Sequence, residues 1–161
     1  MKDTAYLIIH GYNGGLFEIE YLAEHLLAKG LDVHTVLLAG HGDSRSQLRK
    51  SSHSDWIDSV RQAVEILQKE YRQVVFIGFS MGGLIGVHLT SLPGAAGIVF
   101  INTPVYYWNL RVVLRDIIRV KCDRIRYYIK SITGVSLKSN NEFLRLLRKT
   151  KKMFDGIKIP L

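Results

Sequence analysis

The pattern that most constrains this chain is a set of short apolar runs alternating with amphipathic helical stripes. Ala5 to Ile9, Val33 to Leu38, Val74 to Phe79 and Gly97 to Ile101 are short and mostly apolar, which predicts strands. Between them, Leu16 to Lys29, Asp55 to Lys69 and Met81 to Ser91 read as helices. The first is apolar at Leu16, Ile19, Leu22, Ala23, Leu26 and Leu27, with Gly30 as a stop. The second carries Ile57, Val60, Val64 and Leu67 on one face, with Ser54 or Asp55 as its cap. Strands this apolar require cover on both faces. The expectation is therefore an α/β fold, a mainly parallel sheet with helices on both faces and right-handed crossovers.

The pattern changes after Thr103-Pro104. Val105 to Lys130 has no strand signal and reads as one long or broken amphipathic helix. Gly134 to Asn140 is a polar break, and Asn141 to Lys152 forms a second helix with Phe143, Leu144, Leu146 and Leu147 inward. Ile157 to Leu161 is an extended stub. The expected division is a core over 1–104, an inserted helical cap over 105–156, and the start of a further core strand at 157–161.

Composition removes several classes. Cys122 is the only cysteine, so no intrachain disulfide forms and a cytoplasmic setting is expected. Tyr6 to Ile9 is too short for the apolar region of a signal peptide. The longest mostly apolar stretch, Val74 to Val87, holds Ser80 and four glycines, which suits buried core better than a membrane span. The formal net charge is +8, but it is unevenly placed. Residues 1–104 hold 8 basic and 10 acidic side chains, whereas residues 105–161 hold 14 and 4.

The chemistry-bearing motif is Gly78-Phe79-Ser80-Met81-Gly82, followed by Gly83, between a predicted strand and a predicted helix. That is the setting a G-x-S-x-G nucleophile elbow requires. A serine in so tight a turn is strained, and glycines on either side remove collisions with neighbouring elements. A glycine-rich turn needed only for packing is the competing reading. His10-Gly11-Tyr12-Asn13-Gly14-Gly15 follows the first strand, and its glycines let an amide face the elbow, as an oxyanion hole needs. Neither nucleotide-loop motif, G-x-G-x-x-G nor G-x-x-x-x-G-K-[ST], is present.

Together with Ala39-Gly40-His41-Gly42-Asp43 and Asp55-Trp56, these segments resemble an α/β-hydrolase of the bacterial carboxylesterase and monoacylglycerol-lipase type. The resemblance implies Ser80 as nucleophile, with the backbone N–H groups of Tyr12 and Met81 forming the oxyanion hole. It gives Gly11, Gly78, Gly82 and Gly83 structural roles in loop and elbow. It also implies serine-dependent hydrolysis of carboxylic esters, such as acylglycerols or short- to medium-chain acyl esters, with no cofactor and no metal. The Gly40 to Asp43 loop would be structural, with Ala39 where many relatives have proline.

The departure from the family lies after Ser80. The triad of this fold runs Ser, Asp or Glu, then His. The one later histidine is His88, about two helical turns along the elbow's own helix. Asp116, Asp123 and Asp155 fall in the cap or at its exit. His10 and His41 belong to the site loops, His25 and His34 to surface or half-buried elements, and His53 to a polar turn. The expectation is a truncated hydrolase with impaired turnover. The competing class is a non-catalytic remnant that binds acyl ligands or partners. Self-association through an exposed sheet edge or the cap is expected. The basic residues Arg111, Arg115, Arg119, Arg126, Lys130, Arg145, Arg148, Lys149, Lys151 and Lys152 read as a solvated face, with weak anionic-membrane contact as the alternative. Nucleic acid is not an expected partner, since no recognition module is visible.

Overall fold

A computed structural model describes residues 1–42, 45–104 and 136–161. In it, four strands, β1 (Lys2–Ile9), β2 (Val33–Val36), β3 (Tyr71–Phe79) and β4 (Ala95–Ile101), form one sheet in the order β2-β1-β3-β4. All three pairings are parallel, with Ile9 opposite Gly78 and Gly78 opposite Phe100. The described helices are α1 (Glu20–Ala28), α2 (Arg45–Lys50), α3 (His53–Leu67), α4 (Met81–Val87) and α5 (Leu137–Lys151). Short 3₁₀ turns cover Leu16–Glu18 and Phe154–Gly156.

The period of two along β1 divides the core. Ala5, Leu7 and Ile9 join Val74, Phe76, Trp56, Val60, Leu84, Ile85, Leu146 and Leu147 in one cluster, under α3, α4 and α5. Ile8 and Ile77 face the other way and join Ile19 and Ala23 beneath α1. Helices thus cover both faces, as the apolar strands require.

Several boundaries differ from the sequence expectation. The α4 helix stops at Val87 rather than Ser91, because Thr90 Oγ1 donates to the Val87 carbonyl and the following amides tighten to i−3 partners. The α3 helix opens at His53 with Ser52, not Ser54 or Asp55, as its cap. Ser52 accepts from Asp55 N–H while the Asp55 carboxylate accepts from Ser52 N–H. Strand β2 ends at Val36 rather than Leu38, and the Leu38 amide donates to His10 Nε2 instead of to a neighbouring strand. The polar stretch after Gly42 contains α2, which the sequence reading missed. Leu16 to Lys29 is a 3₁₀ turn followed by a helix, and α5 begins inside the expected break because Ser136 caps it at Ser139 N–H.

The stub at 157–161 lies beside β4, where Ile98 N–H donates to the Pro160 carbonyl at 3.0 Å. The long helix expected over Val105 to Lys130, with its arginine stripe and Asp116 and Asp123, lies outside the described residues, as does Asp43. Among the described residues no helix is long and apolar enough to cross a membrane.

Candidate active site

Strand β3 delivers Ser80 at its C-terminal end, and the chain reverses there into α4. Ser80 holds φ 52° and ψ −116°, in the positive-φ region that a Cβ disfavours. Contacts on both sides impose it. Ser80 N–H donates to the Ile101 carbonyl at 2.8 Å, and its own carbonyl accepts from Gly83 N–H at 3.2 Å. The elbow closes because three side chains are absent. A Cβ at Gly78 would overlap the Gly83 backbone, one at Gly82 the Ile9 carbonyl, and one at Gly83 the Thr103 hydroxyl. These glycines therefore set how closely α4 approaches the ends of β1, β3 and β4.

The loop after β1 meets the elbow at Gly11. A Cβ on Gly11 would lie 3.4 Å from the Ser80 Cβ. Tyr12 is the next residue, and Met81, fully buried, is the first of α4, where an amide has no preceding turn to bond. The structure therefore brings Ser80, Gly11, Gly78, Gly82 and Gly83 into contact, with Tyr12 and Met81 adjoining in the chain.

His10 fixes this loop. Its Nε2 accepts from Leu38 N–H at 3.1 Å, so the neutral ring carries its proton on Nδ1, which donates to the Gly11 carbonyl at 2.9 Å. Burial holds His10 below the ordinary imidazole range, which keeps that tautomer. Gly11 C=O and Tyr12 N–H share one peptide plane, so this bond also sets the direction of the Tyr12 amide. The Tyr12 side chain is anchored from α5. Its hydroxyl donates to Asn140 Oδ1 at 3.0 Å, and its ring stacks on Phe143 at 5.0 Å. Phe143 was expected to face inward, but its pairing with Tyr12 was not, and Asn140 was not singled out, because 128 residues separate it from Tyr12.

The six histidines are all described, and none bonds Ser80. His88 Nε2 lies 2.8 Å from the Thr150 hydroxyl, and burial, then the nearby Lys149 charge, push it down to about 4. His41 bonds the Ala39 carbonyl through Nδ1, packs edge-on against Trp56, and is pushed by burial down to about 4. His34 meets the Tyr71 hydroxyl, and His25 stacks on Tyr21. His53 corrects the expectation of a polar turn, for it is buried. Its Nδ1 lies 2.6 Å from Glu142 Oε2, and its Nε2 accepts from Lys149 at 2.8 Å. Two of the exposed charges on α5 thus have partners within the fold, Lys149 on His53 and Arg145 on Glu142. Among the described residues no group of three His, Cys, Asp or Glu could hold a metal ion.

Comparisons with known proteins place the chain in a family. The profile of the Alpha/beta hydrolase family matches residues 6–149. The chain belongs to that family. A carboxylesterase of Bacillus subtilis is 26% identical over 117 residues, covering 72% of this chain and 48% of that protein. A thermostable monoacylglycerol lipase of a Bacillus species is 31% identical over 100 residues, covering 62% and 40%. The chain thus spans about half the length of the curated relatives it matches. Among solved structures, one reported for the metagenome-derived lipolytic enzymes LipS and LipT is 28% identical with a TM-score of 0.62, covering 70% of this chain and 46% of that one. An esterase of Pyrococcus furiosus is 18% identical with a TM-score of 0.67 over 99% of this chain and 59% of its own, a likeness of fold alone.

Proposed function

We propose that the chain carries the nucleophile half of a serine carboxylic ester hydrolase, acting through an acyl-enzyme on Ser80. The observation that carries this reading is the backbone of Ser80, held at φ 52° and ψ −116° between β3 and α4 in a member of this family. Strain of this kind persists where the surrounding fold over-determines it, and it clusters at reactive residues. Attack by Ser80 Oγ on an ester carbonyl would leave an oxyanion for the amides of Tyr12 and Met81 to receive. The carboxylesterase and monoacylglycerol lipase relatives support a small-molecule ester as substrate.

The general base is the part the described residues do not supply. None of the six histidines hydrogen-bonds Ser80, so among the described residues the nucleophile has no proton acceptor. Removing the serine or histidine from a complete triad lowers the rate on the order of 10⁶-fold, and roughly 10³ over water survives through the oxyanion hole and binding. Turnover by this polypeptide alone is accordingly slight. The second reading, an acyl-ligand or partner-binding protein, rests on the same lack of a histidine bonded to Ser80 among the described residues.

Hydrolysis of a p-nitrophenyl butyrate ester, with and without added imidazole, separates the two. The expected result, after subtraction of a protein-free imidazole blank, is slow hydrolysis that imidazole accelerates and that Ser80→Ala abolishes. Rapid Ser80-dependent turnover without imidazole would show that one of the six histidines had been misjudged. Acceleration that is equal in Ser80→Ala would remove the nucleophile assignment.

A further inference from the structure

Glu18 was not singled out by the sequence; it closes the 3₁₀ turn Leu16–Glu18, and its carboxylate reaches Gly11, the loop residue that meets Ser80. Its Oε2 accepts from Gly11 N–H at 3.0 Å, reaching back seven residues. The same oxygen would lie 3.1 Å from a Cβ on Gly11, and a Cβ on Gly14 would overlap the Glu18 carboxyl outright. The residue as a whole lies at the surface, with its carboxylate turned back over the loop. Two glycines of the His10 to Gly15 motif therefore form a cradle for one carboxylate. The start of the 3₁₀ turn supports the return, with Glu18 N–H donating to the Gly15 carbonyl at 3.1 Å.

We propose that Glu18 is a positioning residue for the site at Ser80, holding the Gly11 amide so that the next amide, that of Tyr12, is aimed at the nucleophile. The argument is one of peptide planes. Gly11 has two flanking planes and the widest backbone freedom of any residue. The His10–Gly11 plane is fixed by Glu18 through Gly11 N–H, and the Gly11–Tyr12 plane is fixed by His10 through the Gly11 carbonyl. With either clamp lost, the torsions of Gly11 are free to turn the Tyr12 N–H away. The carboxylate also brings a negative charge close to a place where an anion would form. Its ionised form therefore holds the loop most firmly while opposing the anion, and burial, which outweighs the Gly11 bond, raises its proton affinity. The functional part of this inference rests on the hydrolase reading, but the clamp itself does not.

The test follows the Gly11 amide by ¹⁵N-resolved NMR on the full chain, across pH 4 to 8, in wild type, Glu18→Gln and Glu18→Ala. In wild type the Gly11 amide shift titrates with the carboxyl, and its exchange is protected. Glu18→Gln keeps an acceptor and so keeps the protection, but the titration disappears. Glu18→Ala loses both, with exchange of Gly11 faster by about tenfold or more. Glu20→Gln, a neighbouring acid at the start of α1, leaves both signals in place. The same three proteins are treated with a fluorophosphonate in imidazole. Ser80 labelling should fall about tenfold in Glu18→Ala and hold or rise in Glu18→Gln.

An unaltered Gly11 signal in Glu18→Ala overturns the clamp. Normal labelling in Glu18→Ala, despite a released Gly11, overturns the positioning role. Absent labelling in wild type condemns the hydrolase reading, while the NMR result still decides the clamp. Should Glu18→Ala fail to fold, the wild-type titration and its loss in Glu18→Gln decide the contact.

Discussion

Replacing Ser80 by glycine tests the central geometry without reference to any substrate. A residue with a Cβ held at φ 52° and ψ −116° carries about 1–3 kcal/mol of strain. Glycine releases it, since the elbow's backbone bonds, Ser80 N–H to Ile101 and Gly83 N–H to Ser80, involve no side chain. Against this, glycine adds unfolded-state entropy that offsets about 0.4–1 kcal/mol. The net gain is about 0–2.6 kcal/mol, which raises Tm by up to roughly 10 °C in a chain of this size. Ser80→Ala is the control, because it removes the hydroxyl and keeps the strained Cβ. Differential scanning calorimetry of the three proteins should place Ser80→Gly above both others, with Ser80→Ala close to wild type. A Ser80→Gly midpoint at or below that of Ser80→Ala would mean that the turn is not strained, and the reading of the elbow would go with it. A stability gain at the residue proposed for catalysis is the trade-off expected of a site strained for function.

Two other perturbations probe the supports of the site. Glu142→Ala strips the acceptor from both His53 N–H and His53 Nδ1 and should lower stability by about 3 kcal/mol, read as a fall of roughly 6–12 °C in Tm. The hydrogen bond from His53 holds the Glu142 carboxyl below its ordinary range, so this stability is present above pH 4.5 and lost as pH falls through the depressed value; in Glu142→Gln that acid-side loss should be absent from a pH series of melts. Gly82→Ala places a methyl group against the Ile9 carbonyl, a backbone atom that cannot rotate away, and should destabilise by about 1–3 kcal/mol or more; an unchanged urea midpoint would show that β1 and α4 lie further apart than described.

The division between what was legible and what was not follows the range of the interactions. Local pattern sufficed for the four strands, because burial on both faces leaves a run such as Val74 to Phe79 few other uses. It sufficed for the elbow too, since the Gly-x-Ser-x-Gly spacing and its strand-to-helix setting lie within ten residues. Helix ends were less legible. Competition for single carbonyls and amides, as at Thr90 and Leu38, decided where α4 and β2 stop. His53 read as part of a polar turn because its carboxylate partner lies 89 residues on.

Sequence by itself determined the parallel α/β core, the glycine-flanked serine at the end of β3 and the glycine-rich loop after β1. Those follow from hydrophobic period and from steric demands between chain neighbours, which any stretch of residues carries with it. Only the tertiary structure decided which groups hold that loop: His10 on one peptide plane, Glu18 on the other, and Asn140 with Phe143 on Tyr12. It also decided that none of the six histidines hydrogen-bonds Ser80. A hydrogen bond acts over about 3 Å, and which groups come within that distance depends on how the whole chain packs.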